Sequence, residues 1–188
     1  MSRFASPAAV AASLVALLAA PLASAADYVQ ASGSALAFAT RYDGELFTGR
    51  FPGFDSKVSF DPSNPAAGKL DVSIPLAGAV TGNNDRDSTL KTADFFDVGR
   101  FATARYTASG FRDLGNGEYA ADGTLELRGV SKPVTLTFTW TPGAQPVLAG
   151  KAVVKRLDFG VGGGDWADTK TIPNEVNIST RVLLKPAG

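Results

Sequence analysis

Four carboxylates, those of Asp85, Asp87, Asp94 and Asp97, crowd one short stretch of this chain. A pair of them flanking a bond would suit a carboxylate-dependent hydrolase, because glycoside hydrolysis needs one acid and one base or nucleophile. Asn83, Asp85 and Asp87 also alternate, with Asp94 further on, in the manner of a calcium loop. That loop wants Gly where Ser88 stands and a bidentate Glu where Asp94 stands. A plainer reading is that Asn84-Asp85-Arg86-Asp87 opens a helix, with an Asn cap and acids against the unpaired N–H groups of the first turn. Gly160-Val161-Gly162-Gly163-Gly164 lacks the following helix that a phosphate cradle requires, so it reads as a bent loop. Asn177-Ile178-Ser179 is a formal glycosylation sequon inside an alternating segment.

What is missing narrows the chemistry further. The chain has no Cys and no His, and its single Met is Met1. Without imidazole or thiolate, Ser-His-Asp and Cys-His nucleophilic catalysis are excluded. Haem, zinc and copper sites lose their usual ligands. Stability without disulfides must come from packing and from a hydrogen-bonded sheet.

The N-terminus reads as a targeting segment. Arg3 precedes an apolar run from Ala8 to Ala20, Pro21 breaks it, and Ala23-Ser24-Ala25 forms a small-x-small cleavage signal. The run is short for a membrane span. The expectation is a cleaved signal peptide over 1–25, a mature domain over 26–188 and a periplasmic location. With Arg3 gone, the balance of 18 basic and 18 acidic residues tips to one net negative charge. Such a chain lacks the basic surface that binds phosphate backbones, so nucleic acid is not an expected partner.

The elements that must position any site are strands. Leu36, Phe38, Thr40 and Tyr42 share one face, and Leu70, Val72, Ile74 and Leu76 alternate with polar residues. Tyr119, Ala121, Leu125 and Leu127 do the same. Val134, Leu136, Phe138 and Trp140 oppose a row of threonines, and Val176, Ile178, Val182 and Leu184 form the last run. Weaker candidates are 47–51, 57–60, 104–109 and 148–159. Gly115-Asn116-Gly117 reads as a hairpin connection. About eight strands with short loops imply a sandwich or a closed barrel, and the Asn84 segment a short helix over one end. Alternation cannot tell a filled barrel from a hollow one, since eight strands leave room for side chains or for one small ligand.

Several of these segments together resemble the YceI-like family of polyisoprenoid-binding proteins. They are Gly49-Arg50-Phe51-Pro52-Gly53-Phe54 with Val58-Ser59-Phe60-Asp61, Thr81 with Arg86-Asp87, and Leu90-Lys91-Thr92-Ala93-Asp94-Phe95-Phe96-Asp97. The run from Gly123 to Val134, Arg156-Leu157-Asp158-Phe159-Gly160 and Glu175-Val176 complete the series. Two positions depart from the family pattern. Thr40-Arg41-Tyr42 stands where a His is frequent, and Ala102 where a Pro is frequent.

The resemblance implies an all-β, lipocalin-like antiparallel eight-stranded barrel with an isoprenoid lipid or isoprenoid quinone, such as ubiquinone, held in its lumen. It implies a non-enzymatic carrier with no cofactor besides that ligand. Leu36, Phe38, Phe51, Phe60, Ile74, Phe96, Leu125, Phe138, Trp140, Phe159, Trp166 and Ile178 are the expected ligand contacts. By position in the resemblance, Asn84, Arg86 and Lys91 are headgroup candidates, with Trp166 beside them at the mouth. Ala121, Gly123 and Ala152 would leave room between the larger walls. The Gly162–Trp166 stretch is similar to family members that accompany membrane b-type cytochromes, which implies such a cytochrome as a partner or as the docking site of an interaction module. An open edge between the first and last strands would allow a homodimer.

Overall fold

A computed structural model describes residues 26–188, so the expected signal peptide lies outside the described residues. The chain forms β1 (Ala26–Gln30), β2 (Ala35–Tyr42), β3 (Glu45–Arg50), β4 (Asp55–Phe60) and β5 (Lys69–Pro75). Helix α1 (Asn84–Leu90) follows, then β6 (Thr103–Ser109), β7 (Phe111–Gly115), β8 (Glu118–Leu127), β9 (Val130–Thr141), β10 (Val147–Lys155) and β11 (Glu175–Pro186). All pairings are antiparallel. The sheet runs β1-β4-β5-β6-β8-β9-β10-β11 and closes when β11 returns to β1 with Tyr28 opposite Pro186.

The remaining strands extend three staves of this closed eight-stranded barrel. β2 continues β1 along β11, with Ile178 opposite Phe38. β3 pairs β2, and β7 continues the stave of β6 along β8. The edge expected between first and last strands is therefore absent, because β11 pairs with both β1 and β2. Closure is what removes unpaired edges from an antiparallel sheet.

Alternation places one residue set inside and the other outside. On β2, Leu36, Phe38 and Thr40 are buried while Arg41 is exposed. β8 and β9 meet at Arg128-Gly129, where φ is 52° and 72°. Positive φ at both central residues is the two-residue turn whose twist matches the flanking strands.

The two ends of the barrel differ. One carries the short turns between β7 and β8 and between β9 and β10, and aromatic side chains fill it. Phe60 packs against Phe111, Tyr119, Phe138 and Trp140 with ring centroids 4.9 to 5.7 Å apart. Phe111 also meets Phe138 edge-on, and Tyr28 caps Trp140. Such edge-to-face pairs add to the burial of large apolar area.

The other end carries the long connections, 76–102 between β5 and β6 and 156–174 between β10 and β11. α1 lies in the first of them, as its start signal predicted. The Asn83 side chain accepts from the Arg86 N–H at 2.9 Å, which caps the helix.

Candidate functional site

The lumen between the aromatic plug and the long connections holds a cavity of about 210 Å³. A dry apolar cavity of roughly 150 Å³ already admits benzene, so this one has room for a hydrocarbon ligand. Its side walls are inward residues of the strands, among them Leu36, Phe38, Leu70, Val72, Ile74, Leu125, Leu136, Ala152, Ile178 and Val182. Its roof comes from the connections. Leu90, Phe95 and Phe96 enter from 76–102, and Val161 and Ile172 from 156–174. All five are buried.

Close packing at two glycines shapes the wall. A Cβ on Gly49 would overlap the ring of Phe38, so the missing side chain lets that ring lie against β3. A Cβ on Gly123 would stand 2.5 Å from the Tyr106 hydroxyl oxygen. Tyr106 therefore crosses β8 and brings its hydroxyl 2.8 Å from the Ala121 carbonyl and 3.0 Å from that of Val134. Burial pushes its pKa up to about 12.

Two arginines tie the roof down. Arg156 is 4% exposed and borders the cavity, with no carboxylate in its hydrogen-bond shell. Its five N–H groups donate to the carbonyls of Pro173, Val161, Gly162, Trp166 and Ile172 at 2.5 to 3.1 Å. Burial lowers its pKa, and the full set of carbonyl acceptors offsets that desolvation. Arg128 donates to the carbonyls of Ala93, Asp94 and Gly160, joining the two roof segments. The Gly162 N–H donates to the Asp94 carbonyl at 2.7 Å, and Phe95 meets Trp166 edge-on at 5.4 Å.

Of the twelve expected ligand contacts, Leu36, Phe38, Phe51, Ile74, Phe96, Leu125 and Ile178 line the cavity. Phe60, Phe138 and Trp140 do not. They point inward but sit at the plugged end, where they fill the barrel themselves. Phe159 is buried in the 3-10 turn Arg156–Phe159 and is not on the wall. Trp166 packs on Phe95 in the roof, outside the lining set. Ala152 borders the void as expected, whereas the space at Gly123 is taken by Tyr106 and Ala121 is fully packed.

The headgroup candidates stand on α1 or, for Lys91, at its C-cap, outside the cavity wall. Asn84 and Lys91 are exposed. Arg86 pairs with neither Asp85 nor Asp87. Its Nε donates to Thr81 Oγ1 at 2.9 Å, and its guanidinium lies 4.4 Å from the ring centroid of Phe47, a wall residue.

The four carboxylates do not make an acid–base pair on the cavity. Asp87 accepts from the Thr81 N–H and hydroxyl, which hold its pKa low, and Asp97 meets Arg100 at 3.4 Å. None of the four lines the void. Among the described residues no three acids converge as a metal site.

Sequence reasoning put Thr40 on the face shared with Leu36 and Phe38 and Arg156 in a segment of the family resemblance, without giving either a role. Period-2 alternation was the available signal for the first. For the second, the five acceptors lie 5 to 17 residues downstream, where no local pattern shows them.

A closed antiparallel barrel with an apolar chamber under a roof of loops is an architecture with room for one small apolar ligand. The YceI-like domain model matches residues 28–184, so the chain belongs to that family. It is 34% identical over 124 residues to a UPF0312 protein of Shewanella baltica, covering 64% of this chain and 65% of that one. The chain thus aligns with just under two thirds of that relative's length. The crystal structure of Burkholderia cenocepacia BcnA is similar, with a TM-score of 0.79 and 27% identity over 82% of this chain and 98% of that one. A polyisoprenoid-binding domain from Saccharophagus degradans, implicated in plant cell wall breakdown, shares the fold. Its TM-score is 0.67, at 19% identity over 87% and 99% of the two chains.

Proposed function

We propose that this protein is a binding protein for an isoprenoid lipid, whose tail occupies the chamber beneath the roof. The observation that carries the reading is a 210 Å³ cavity walled almost wholly by aliphatic and aromatic side chains. A five-carbon isoprene unit gains up to roughly 3 to 4 kcal/mol on burial there, at about 0.8 kcal/mol per CH₂. Methyl branches of such a chain suit a wall of Leu, Ile, Val and Phe. The polyisoprenoid-binding neighbour of the same fold supports the choice of ligand class.

The 1–25 segment reads as a cleaved export signal, which supports work in the bacterial periplasm. There the protein would carry or sequester an isoprenoid, with an isoprenoid quinone such as ubiquinone as the specific candidate. A membrane b-type cytochrome is the proposed exchange partner. Trp166 stands in the roof loop that such a partner would touch to reach the ligand.

The test is displacement of an apolar fluorescent probe, N-phenyl-1-naphthylamine, by added polyprenol or ubiquinone. The proposal expects saturable displacement, lost in Ala152→Trp, which fills the chamber from β10. No probe uptake by the native protein, or equal uptake by the filled variant with an intact circular dichroism spectrum, would overturn it.

A further inference from the structure

The polar groups of the cavity wall are few, and all but one are already engaged. The Tyr106 hydroxyl is within reach of the Ala121 and Val134 carbonyls, the Thr180 hydroxyl donates to the Ala35 carbonyl at 2.9 Å, and Arg156 spends its five donors on loop carbonyls. Thr40 is the exception. Its residue is 8% exposed, it borders the cavity, and its Oγ1 is buried with no hydrogen-bond partner. Among the described residues no other buried side-chain oxygen or nitrogen is left so.

An unsatisfied hydroxyl inside an apolar wall is costly, and such groups are rare in folded proteins. Nothing in the packing of β2 demands a hydroxyl there. Valine has the same shape, and the cross-strand neighbour Phe47 is apolar. The hydroxyl can donate one hydrogen bond and accept another. It sits two residues below Tyr42 at the strand's end, so about 7 Å inside the rim.

We propose that Thr40 is the specificity-determining residue of the chamber, hydrogen-bonding a single uncharged oxygen, alcohol or carbonyl, at the head of the isoprenoid. This rests on the lipid-binding reading above. The oxygen lies just inside the mouth and the tail runs down toward the aromatic plug. A phosphorylated head is disfavoured, because every Arg156 donor is engaged and burying an uncompensated phosphate charge is expensive. The headgroup is therefore met inside the barrel rather than by the exposed Asn84 and Lys91 at the two ends of α1.

Four ligands with one C15 skeleton test the assignment by calorimetry: farnesene, farnesol, farnesal and farnesyl phosphate. The native protein is expected to bind farnesol or farnesal about tenfold more tightly than farnesene, the size of one good hydrogen bond in a buried site. Which of the two wins tells an alcohol from a carbonyl as the preferred head. Farnesyl phosphate is expected to bind more weakly than farnesol. Thr40→Val should erase the preference while keeping farnesene affinity, and should not lower the Tm of the empty protein, since it removes an unpaired polar group. Thr40→Ser should keep the preference. A preference that survives in Thr40→Val, no preference in the native protein, or tightest binding by the phosphate would overturn the assignment. Failure of all four ligands would instead remove the lipid-binding reading on which it rests.

Discussion

The guanidinium of Arg86 on α1 lies 4.4 Å from the ring centroid of Phe47 on β3, and Phe47 is part of the cavity wall. The contact fastens the roof to a strand of the cavity wall. Cation–π contacts of this kind are worth about 0.5 to 1 kcal/mol at exposed sites. Arg86→Gln is therefore expected to lower stability by no more than about 1 kcal/mol. Its larger effect should be faster ligand release, because the roof loses its clasp while the apolar wall is unchanged. Stopped-flow dissociation of a fluorescent lipid probe checks this, and an unchanged off-rate would count against the clasp.

Phe38 keeps its position because Gly49 has no side chain. Gly49→Ala must push the ring, and overpacking of this sort costs typically about 1 to 3 kcal/mol. The displaced ring has the lumen to move into, so the chamber shrinks. Weaker lipid binding together with a lower urea midpoint is the expected pair of results.

Phe60 is the hub of the plug and is 1% exposed. Phe60→Ala is expected to cost about 3 to 5 kcal/mol. A milder Phe60→Leu should keep the fold and deepen the chamber, shifting preference toward longer prenyl chains. Competition between C10, C15 and C20 alcohols measures the shift.

Two titrations bracket the stability curve. The Tyr106 pKa is raised to about 12 by burial, so the folded state holds its proton more tightly than the unfolded chain does. Its contribution is complete below about pH 10, the ordinary tyrosine value, and is lost as pH rises toward 12. On the acid side, hydrogen bonds from Arg112 and Thr135 lower Asp122 to about 2, while Arg105 lowers Asp71 and Thr81 lowers Asp87. Stability from these groups is present above the ordinary aspartate range and is lost as pH falls below about 4. Urea midpoints across pH should fall at both ends, and Tyr106→Phe should flatten the alkaline limb.

The strands were legible because a half-buried sheet writes itself as alternation. The runs around Leu70, Leu125, Phe138 and Ile178 all became barrel staves. β1 and β7 escaped notice. Ala26–Gln30 is short, and in Phe111–Gly115 the charged pair Arg112-Asp113 breaks the alternation. Alternation also tells inside from outside but not height along the axis. Phe38 and Phe138 read alike, yet register puts one on the chamber wall and the other in the plug. The roof was least legible, since Arg156 and Arg128 hold it through carbonyls that any residue could supply.

A chamber built to hold a lipid chain should be found carrying one. Native mass spectrometry of protein purified from a bacterial periplasm tests it most directly. The expected result is a bound species of isoprenoid mass, released on activation and restored by adding polyprenol or ubiquinone. A spectrum of bare protein that takes up neither compound would contradict it.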